Sequence, residues 1–330
     1  MRHDRLGPFL LSIILLLGAP LADAQLGRTS QPPIVGVLWL ESPTARANWD
    51  RLLGDGLRAL GNKEGQTHNF EYRWAHGDIS RYPKLARELI ALRPAVIVAP
   101  CGPSQRAIRE ISRTLPIVAL CADEVNFLGE VATLSRPGGH TTGILTLSPE
   151  SVGKRLQLLK EFQPGLTRLA VLHDANDPIP AIWRELERLQ PALGLSLQRL
   201  PVKSAEEIEP AFEAMARERA QALFVFPDNR MLAEHPRVAG LTRKYRLPAA
   251  YEYAIGAEAG FLFSYGASVV EFAGQTVPGY VDRILKGAKA GDLPIVQPSR
   301  FVLVVNLKTA REIGVKVPQS ILLRADRVIE

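Results

Sequence analysis

Short apolar runs alternate with amphipathic helical stretches along nearly the whole chain, and no other feature restricts the fold as much. The runs cover residues 34–40, 95–99, 117–121, 169–173, 195–200, 222–226 and 260–264. Between them lie helical patterns at 45–60, 82–92, 152–162, 182–193, 206–217 and 231–245. Continuous apolar runs of this length suit strands buried on both faces, and alternation with helices predicts parallel sheets. The series runs once to about residue 143 and then begins again. The prediction is an α/β protein of two doubly wound, Rossmann-like lobes.

The amino terminus sets the compartment. Arg2 and Arg5 precede an apolar run at 8–17, followed by Ala22-Asp23-Ala24. A basic start, a short apolar core and an A-x-A site predict a signal peptide over residues 1–24, cleaved after Ala24. The run is shorter than the roughly 20 residues a spanning helix needs. The mature chain is therefore expected to be exported. Cleavage would remove two basic and two acidic side chains, so the formal charge stays +6. The arginines are scattered rather than clustered, which argues against a nucleic-acid partner. About 300 residues remain, more than one comfortable core and suited to two lobes.

Gly138 and Gly139 invite comparison with a phosphate loop, but the order of elements is wrong. Such a loop needs strand, glycines, helix, so that free N–H groups face the anion. Here a short helical segment is expected to end at 131–134, Pro137-Gly138-Gly139 turns, and 141–145 reads as a strand. Enzyme signatures are likewise missing. The six histidines show no paired metal spacing, and no metal or cofactor is expected. No G-x-S-x-G elbow is present, and "LWLESPTARANW" stands where a dinucleotide enzyme would carry its glycines. Asp174-Ala175-Asn176-Asp177 lacks the glycine and distal glutamate of a calcium loop.

Four segments resemble one family. "ATLSRPGGHTTGI" (132–144) is similar to the S-L-x-R-P-G-G-N-x-T-G signature of ABC-transporter substrate-binding proteins of the tryptophan/tyrosine type. "GLRALGNKEGQTHNFEYRWAHGD" (56–78), "LPAAYEYAIGAEAGFLFSYG" (247–266) and the carboxy-terminal 283–330 follow its other blocks in order. The resemblance implies a periplasmic binding protein of type I, whose lobes are joined by a three-segment hinge near Leu147, Gly266 and Ser299. One lobe would comprise 25–147 plus 267–298, and the other 148–266 plus 299–330. The implied role is capture of a small molecule by hinge closure, without chemistry, and delivery to an ABC permease in the inner membrane. A monomer is expected. The alternative is a periplasmic sensor that hands its signal to a membrane receptor; a gene neighbourhood with permease and ATPase would separate the two.

In open parallel sheets, ligands sit beyond the carboxyl ends of the strands. The candidate ligand-binding residues are therefore Glu41, Ser42, Cys101, Gly102, Ser104, Asp123 and Glu124 in the first lobe. Asn176, Asp228, Tyr251, Glu252 and Tyr265 are their counterparts in the second. Ser42, Ser104, Asp174 and Asp228 serve equally as helix caps, while Tyr251 and Tyr253 can simply pack. The set favours an amino acid or a related small carboxylate, with hydroxyls and N–H groups of the first lobe facing the carboxylate and Asp123, Asp228 and Glu252 facing the amine. Two departures from the family pattern stand out. Cys101-Gly102-Pro103 replaces the usual G-T-P or G-S-P, and Glu124, Asn126 and Phe127 replace D-P-V-G. Because the implied fold makes the third and fourth strands neighbours, Cys101 and Cys121 form a candidate disulfide.

Overall fold

Strands Ile34–Trp39 (β1), Asn69–Trp74 (β2), Val96–Pro100 (β3), Ile117–Ala122 (β4) and Thr141–Leu145 (β5) form a parallel sheet in the order β2-β1-β3-β4-β5. This is a computed structural model, and it describes residues 31–100, 102–122, 131–145, 149–176 and 179–330. Successive side chains of a strand point to opposite faces, so a sheet covered on both sides needs an apolar residue at every position. Val37 accordingly packs with Leu53 and Leu57 of helix α1 (Pro43–Ala59), while Leu38 packs on the other face. There it meets Leu85 and Leu89 of α2 (Tyr82–Ala91) and Ile108 of α3 (Gly102–Ile111).

The second sheet takes up the chain after helix α4 (Pro149–Phe162) and runs β12-β11-β10-β9-β8-β6-β7. Its strands are Arg168–Asp174 (β6), Ser196–Val202 (β7), Ala222–Val225 (β8), Ala249–Tyr251 (β9), Phe263–Ala267 (β10), Phe301–Asn306 (β11) and Arg327–Ile329 (β12). Helices Pro180–Leu193 (α5), Ile208–Arg217 (α6), Asn229–Lys244 (α7) and Ala254–Ala259 (α8) cover it. The sequence predicts parallel strands throughout, but β10 and β11 pair antiparallel, with Phe263 opposite Val305 and Ala267 opposite Phe301. The reason lies in the path of the chain. It leaves this sheet after Ala267, and Phe272, Val277, Tyr280 and Val281 pack on the first sheet. It then returns at Phe301 from the opposite end. The intervening helix contains a π turn at Phe272–Thr276 before Val277–Leu285 (α9).

Two local expectations change. The 260–264 run begins its strand only at Phe263, because Gly260 adopts φ 115° and closes α8. Residues 131–134 are not helical. The Pro137-Gly138-Gly139 turn does lead into a strand. Gly138 sits at φ 81° and donates its N–H to the Gly291 carbonyl at 2.9 Å, so the glycines serve a tight backbone packing. A Cβ on Gly291 would come within 2.2 Å of the Gly139 oxygen. Residues Pro32–Glu330 form one compact unit. Among the described residues no helix is long and apolar enough to cross a membrane.

Candidate functional site

In the first lobe the carboxyl ends of β1 and β2 lie side by side. The Ala75 N–H donates to Trp39 O at 2.8 Å and the Gly77 N–H to Leu40 O at 2.7 Å, which fixes Glu41-Ser42 beside His76-Gly77. His76 takes φ 54°, a left-handed conformation that a side chain seldom adopts and that clusters at functional loops. From the second lobe come the Leu232–Pro236 turns of α7, Tyr253 and the start of α8, and Val302 and Val304 of β11. Together with Gly266–Ser268, where the chain crosses, these residues enclose a cavity of about 780 Å³. That size lies within the ordinary range for small-molecule sites.

Charge is arranged in pairs around this cavity. Glu41 Oε1 binds Arg46, and both side chains are only 10% exposed. The Arg46 guanidinium lies over the rings of Trp39 (4.7 Å) and Trp49 (5.5 Å), a cation–π arrangement that holds it in place. The Trp39 indole N–H donates to Asp50 at 2.9 Å. Glu41 Oε2 is buried and has no hydrogen-bond partner among the described residues. Across the cavity, His235 Nδ1 lies 2.8 Å from the Leu232 carbonyl. A carbonyl only accepts, so Nδ1 carries the proton. Burial lowers the affinity of this imidazole for a second proton; the Leu232 bond and the Glu41 charge oppose that effect. Toward solvent, Glu258 pairs with Arg327, and Arg300 stands 3.8 Å from Asp326.

Of the candidates read from the sequence, Glu41 and Ser42 line the cavity. The others among the described residues do not, and the structure gives each another occupation. Gly102 opens α3, and the Ser104 hydroxyl donates to the Pro100 carbonyl. Asn176 turns back on Asp174, donating its backbone N–H and side-chain amide to Oδ1 at 2.9 and 3.3 Å. Asp228 caps α7 by accepting from the Met231 N–H at 2.8 Å, and its other oxygen accepts from the Asp174 N–H at 2.8 Å. Tyr251 is fully buried and stacks on Phe261 at 5.3 Å. Burial, reinforced by the Asp228 and Glu41 carboxylates, pushes its phenol well above the ordinary range. Tyr265 stacks on Phe301 at 5.7 Å.

Glu252 is sealed in the interior, with Oε2 2.5 Å from an Arg155 nitrogen and both side chains at 0% exposure. Arg155 in turn lies over the Phe224 ring at 4.4 Å. Burial raises the Glu252 pKa, while Arg155 and the Ser151 hydroxyl hold it down. Cys101, Asp123, Glu124 and the proposed Cys101–Cys121 pairing lie outside the described residues.

Sequence reasoning missed Arg46, Trp49, His76, Gly77 and His235. Ser42, Arg46 and Trp49 are spaced by four and three residues, one face of α1, so the helical period carried a signal for the first two. His76 and Gly77 follow β2, whose "NFEYRW" mixes charge with aromatics and does not read as an apolar run. His235 lies mid-helix, away from any strand end.

Two α/β lobes around a shared cavity, with crossing segments in its wall, define a protein that holds a small molecule between its halves. The family model described as ABC transporter substrate binding protein matches residues 35–329, and the chain belongs to that family. Its members are extracytoplasmic binding proteins rather than enzymes. The tyrosine-binding protein of Clostridioides difficile is 20% identical over 261 residues, 79% of this chain and 74% of that protein. An ABC domain from Streptococcus pneumonia, solved in complex with L-Trp, superposes with a TM-score of 0.82 at 24% identity, covering 90% of this chain and all of that one. A conserved domain protein from Vibrio cholerae gives 0.81 at 25% identity over 90% of this chain and 99% of its own.

Proposed function

We propose that this chain is the solute-capturing component of an ABC importer. Exported by residues 1–24 and released after Ala24, it works in the periplasm as a monomer. It closes about its crossing segments on a small polar metabolite, an amino acid or related carboxylate, and passes it to an inner-membrane permease. The moving bodies in this reading are 25–147 plus 267–298 and 148–266 plus 299–330. The observation that carries the proposal is the 780 Å³ cavity, to which both lobes and the Gly266–Ser268 crossing contribute walls. Relatives named for tyrosine binding or solved with L-Trp support the size and class of ligand.

A thermal-shift screen of the purified protein against amino acids, amines, carboxylic acids, nucleosides and sugars tests the reading. A ligand at 100 times its Kd adds about 2.7 kcal/mol, a shift of several degrees. A saturable shift confined to one chemical class is expected. Silence across the panel, repeated after unfolding and refolding to strip co-purified ligand, would overturn it.

A further inference from the structure

We propose that Glu41 is the ammonium-recognising group of the cavity, so that the ligand presents a protonated amine to Glu41 Oε2. This inference rests on the reading of the cavity as the ligand site. Glu41 lines the cavity, and its side chain is nine-tenths buried. One oxygen is committed to Arg46 while the other is buried with no hydrogen-bond partner among the described residues. A carboxylate can only accept, and leaving a buried acceptor unsatisfied is costly, so this oxygen calls for a donor from the ligand. Arg46 cannot swing across to supply it without leaving the faces of Trp39 and Trp49.

The charge of the wall points the same way. Four carboxylates (Glu41, Glu234, Glu258, Asp326) face three guanidiniums (Arg46, Arg300, Arg327), and each guanidinium has a carboxylate partner. The imidazole of His235 adds no charge at neutral pH, because burial favours its neutral form. A ligand carboxylate therefore meets no unpaired cation among the described lining residues, whereas an ammonium completes the balance. A primary ammonium is compact and carries three donors, which suits a single open acceptor oxygen. The cavity far exceeds what that group needs. The amine is one end of a larger molecule whose remainder lies along Trp49 and Tyr253.

The test uses matched trios on common carbon skeletons: an amino acid, its decarboxylated amine and its deaminated acid. L-phenylalanine, phenethylamine and 3-phenylpropionate form one trio; L-leucine, isoamylamine and 4-methylpentanoate form another. N-acetylated amino acids and sugars are added as charge-free probes. Calorimetric titration of the exported protein should show binding of amine-bearing members and loss of binding on deamination or acetylation. Glu41→Gln keeps the shape and removes the charge. It should weaken amine-bearing ligands by about tenfold to a hundredfold without weakening amine-free ones, and Glu41→Asp should restore part of the loss. A general disturbance of the fold would weaken every class alike, so the split between classes is the decisive readout. Binding confined to amine-free compounds, or equal amine affinity in Glu41→Gln, overturns the assignment and leaves solute capture standing. Absence of binding by every probe removes both. The acetylated probes test the native protein, so the result does not depend on the variant folding.

Discussion

Two carboxylate–guanidinium pairs in this molecule look alike on paper and differ in their surroundings. Arg155–Glu252 lies at 0% exposure inside the second lobe, between α4 and the end of β9. Glu41–Arg46 lies at the cavity wall of the first lobe, with one carboxylate oxygen left open. A sealed pair pays the desolvation of both ions, and removing either partner strands the other in the interior. A pair at a cavity wall retains an outlet for its charge. Access to the cavity, rather than residue type, separates the brace from the binding group.

The largest test of this contrast is Glu252→Ala. Stranding Arg155 should cost about 3–5 kcal/mol, of the order of 10 °C in Tm, read by thermal and urea denaturation. Replacing both partners by apolar residues (Arg155→Met with Glu252→Leu) should recover most of that loss. No recovery would mean that the two charges serve something beyond each other. Gly266→Ala presses on the same sealed pair from the neighbouring strand. Its Cβ would stand 2.2 Å from the Glu252 carbonyl oxygen and 2.9 Å from Oε1. A loss of roughly 1–3 kcal/mol is expected, and a neutral result would show that Glu252 can shift.

On the open side, Glu41→Ala should cost ligand-free stability clearly less than Glu252→Ala does, because Arg46 keeps its two indole faces and borders the cavity. A loss as large as that of Glu252→Ala would erase the distinction. The smallest effect is a pH dependence. Burial lowers the pKa of His235, opposite the open pair, and does the same to His68 and His173. A group lowered in the folded state contributes stability above its unfolded pKa of about 6.5, and that contribution is lost as pH falls through the folded value. Tm should therefore decline from pH 7 to 5, with His235→Asn removing about a degree of the decline.

The fold was legible because burial on both faces forces near-continuous apolar runs, as in "VIVAP" and "IVALCA". The edge strand β2 was not, since its "NFEYRW" is half-buried at every position and need not be apolar. The antiparallel joint was also hidden, because strand direction depends on where the chain returns and not on the pattern of a single run. At the site, the rule that ligands gather at strand ends found Glu41 and Ser42. The same rule named Asp228 and Glu252, which lie away from the cavity, one as a helix cap and the other against Arg155. Sequence can place a carboxylate at the end of a strand. It cannot tell whether that carboxylate faces a cavity or the sealed interior.

The antiparallel pairing of β10 with β11 has a mechanical consequence. The two strands are neighbours within the second sheet, and their ladder continues to the crossing itself, where the Ser268 N–H donates to the Arg300 carbonyl at 3.0 Å. Two segments that leave a sheet side by side and bonded to each other shift together, because parting them would break rungs of the ladder. The outgoing and returning segments are thereby tied to each other at the edge of the cavity whose wall they help to form.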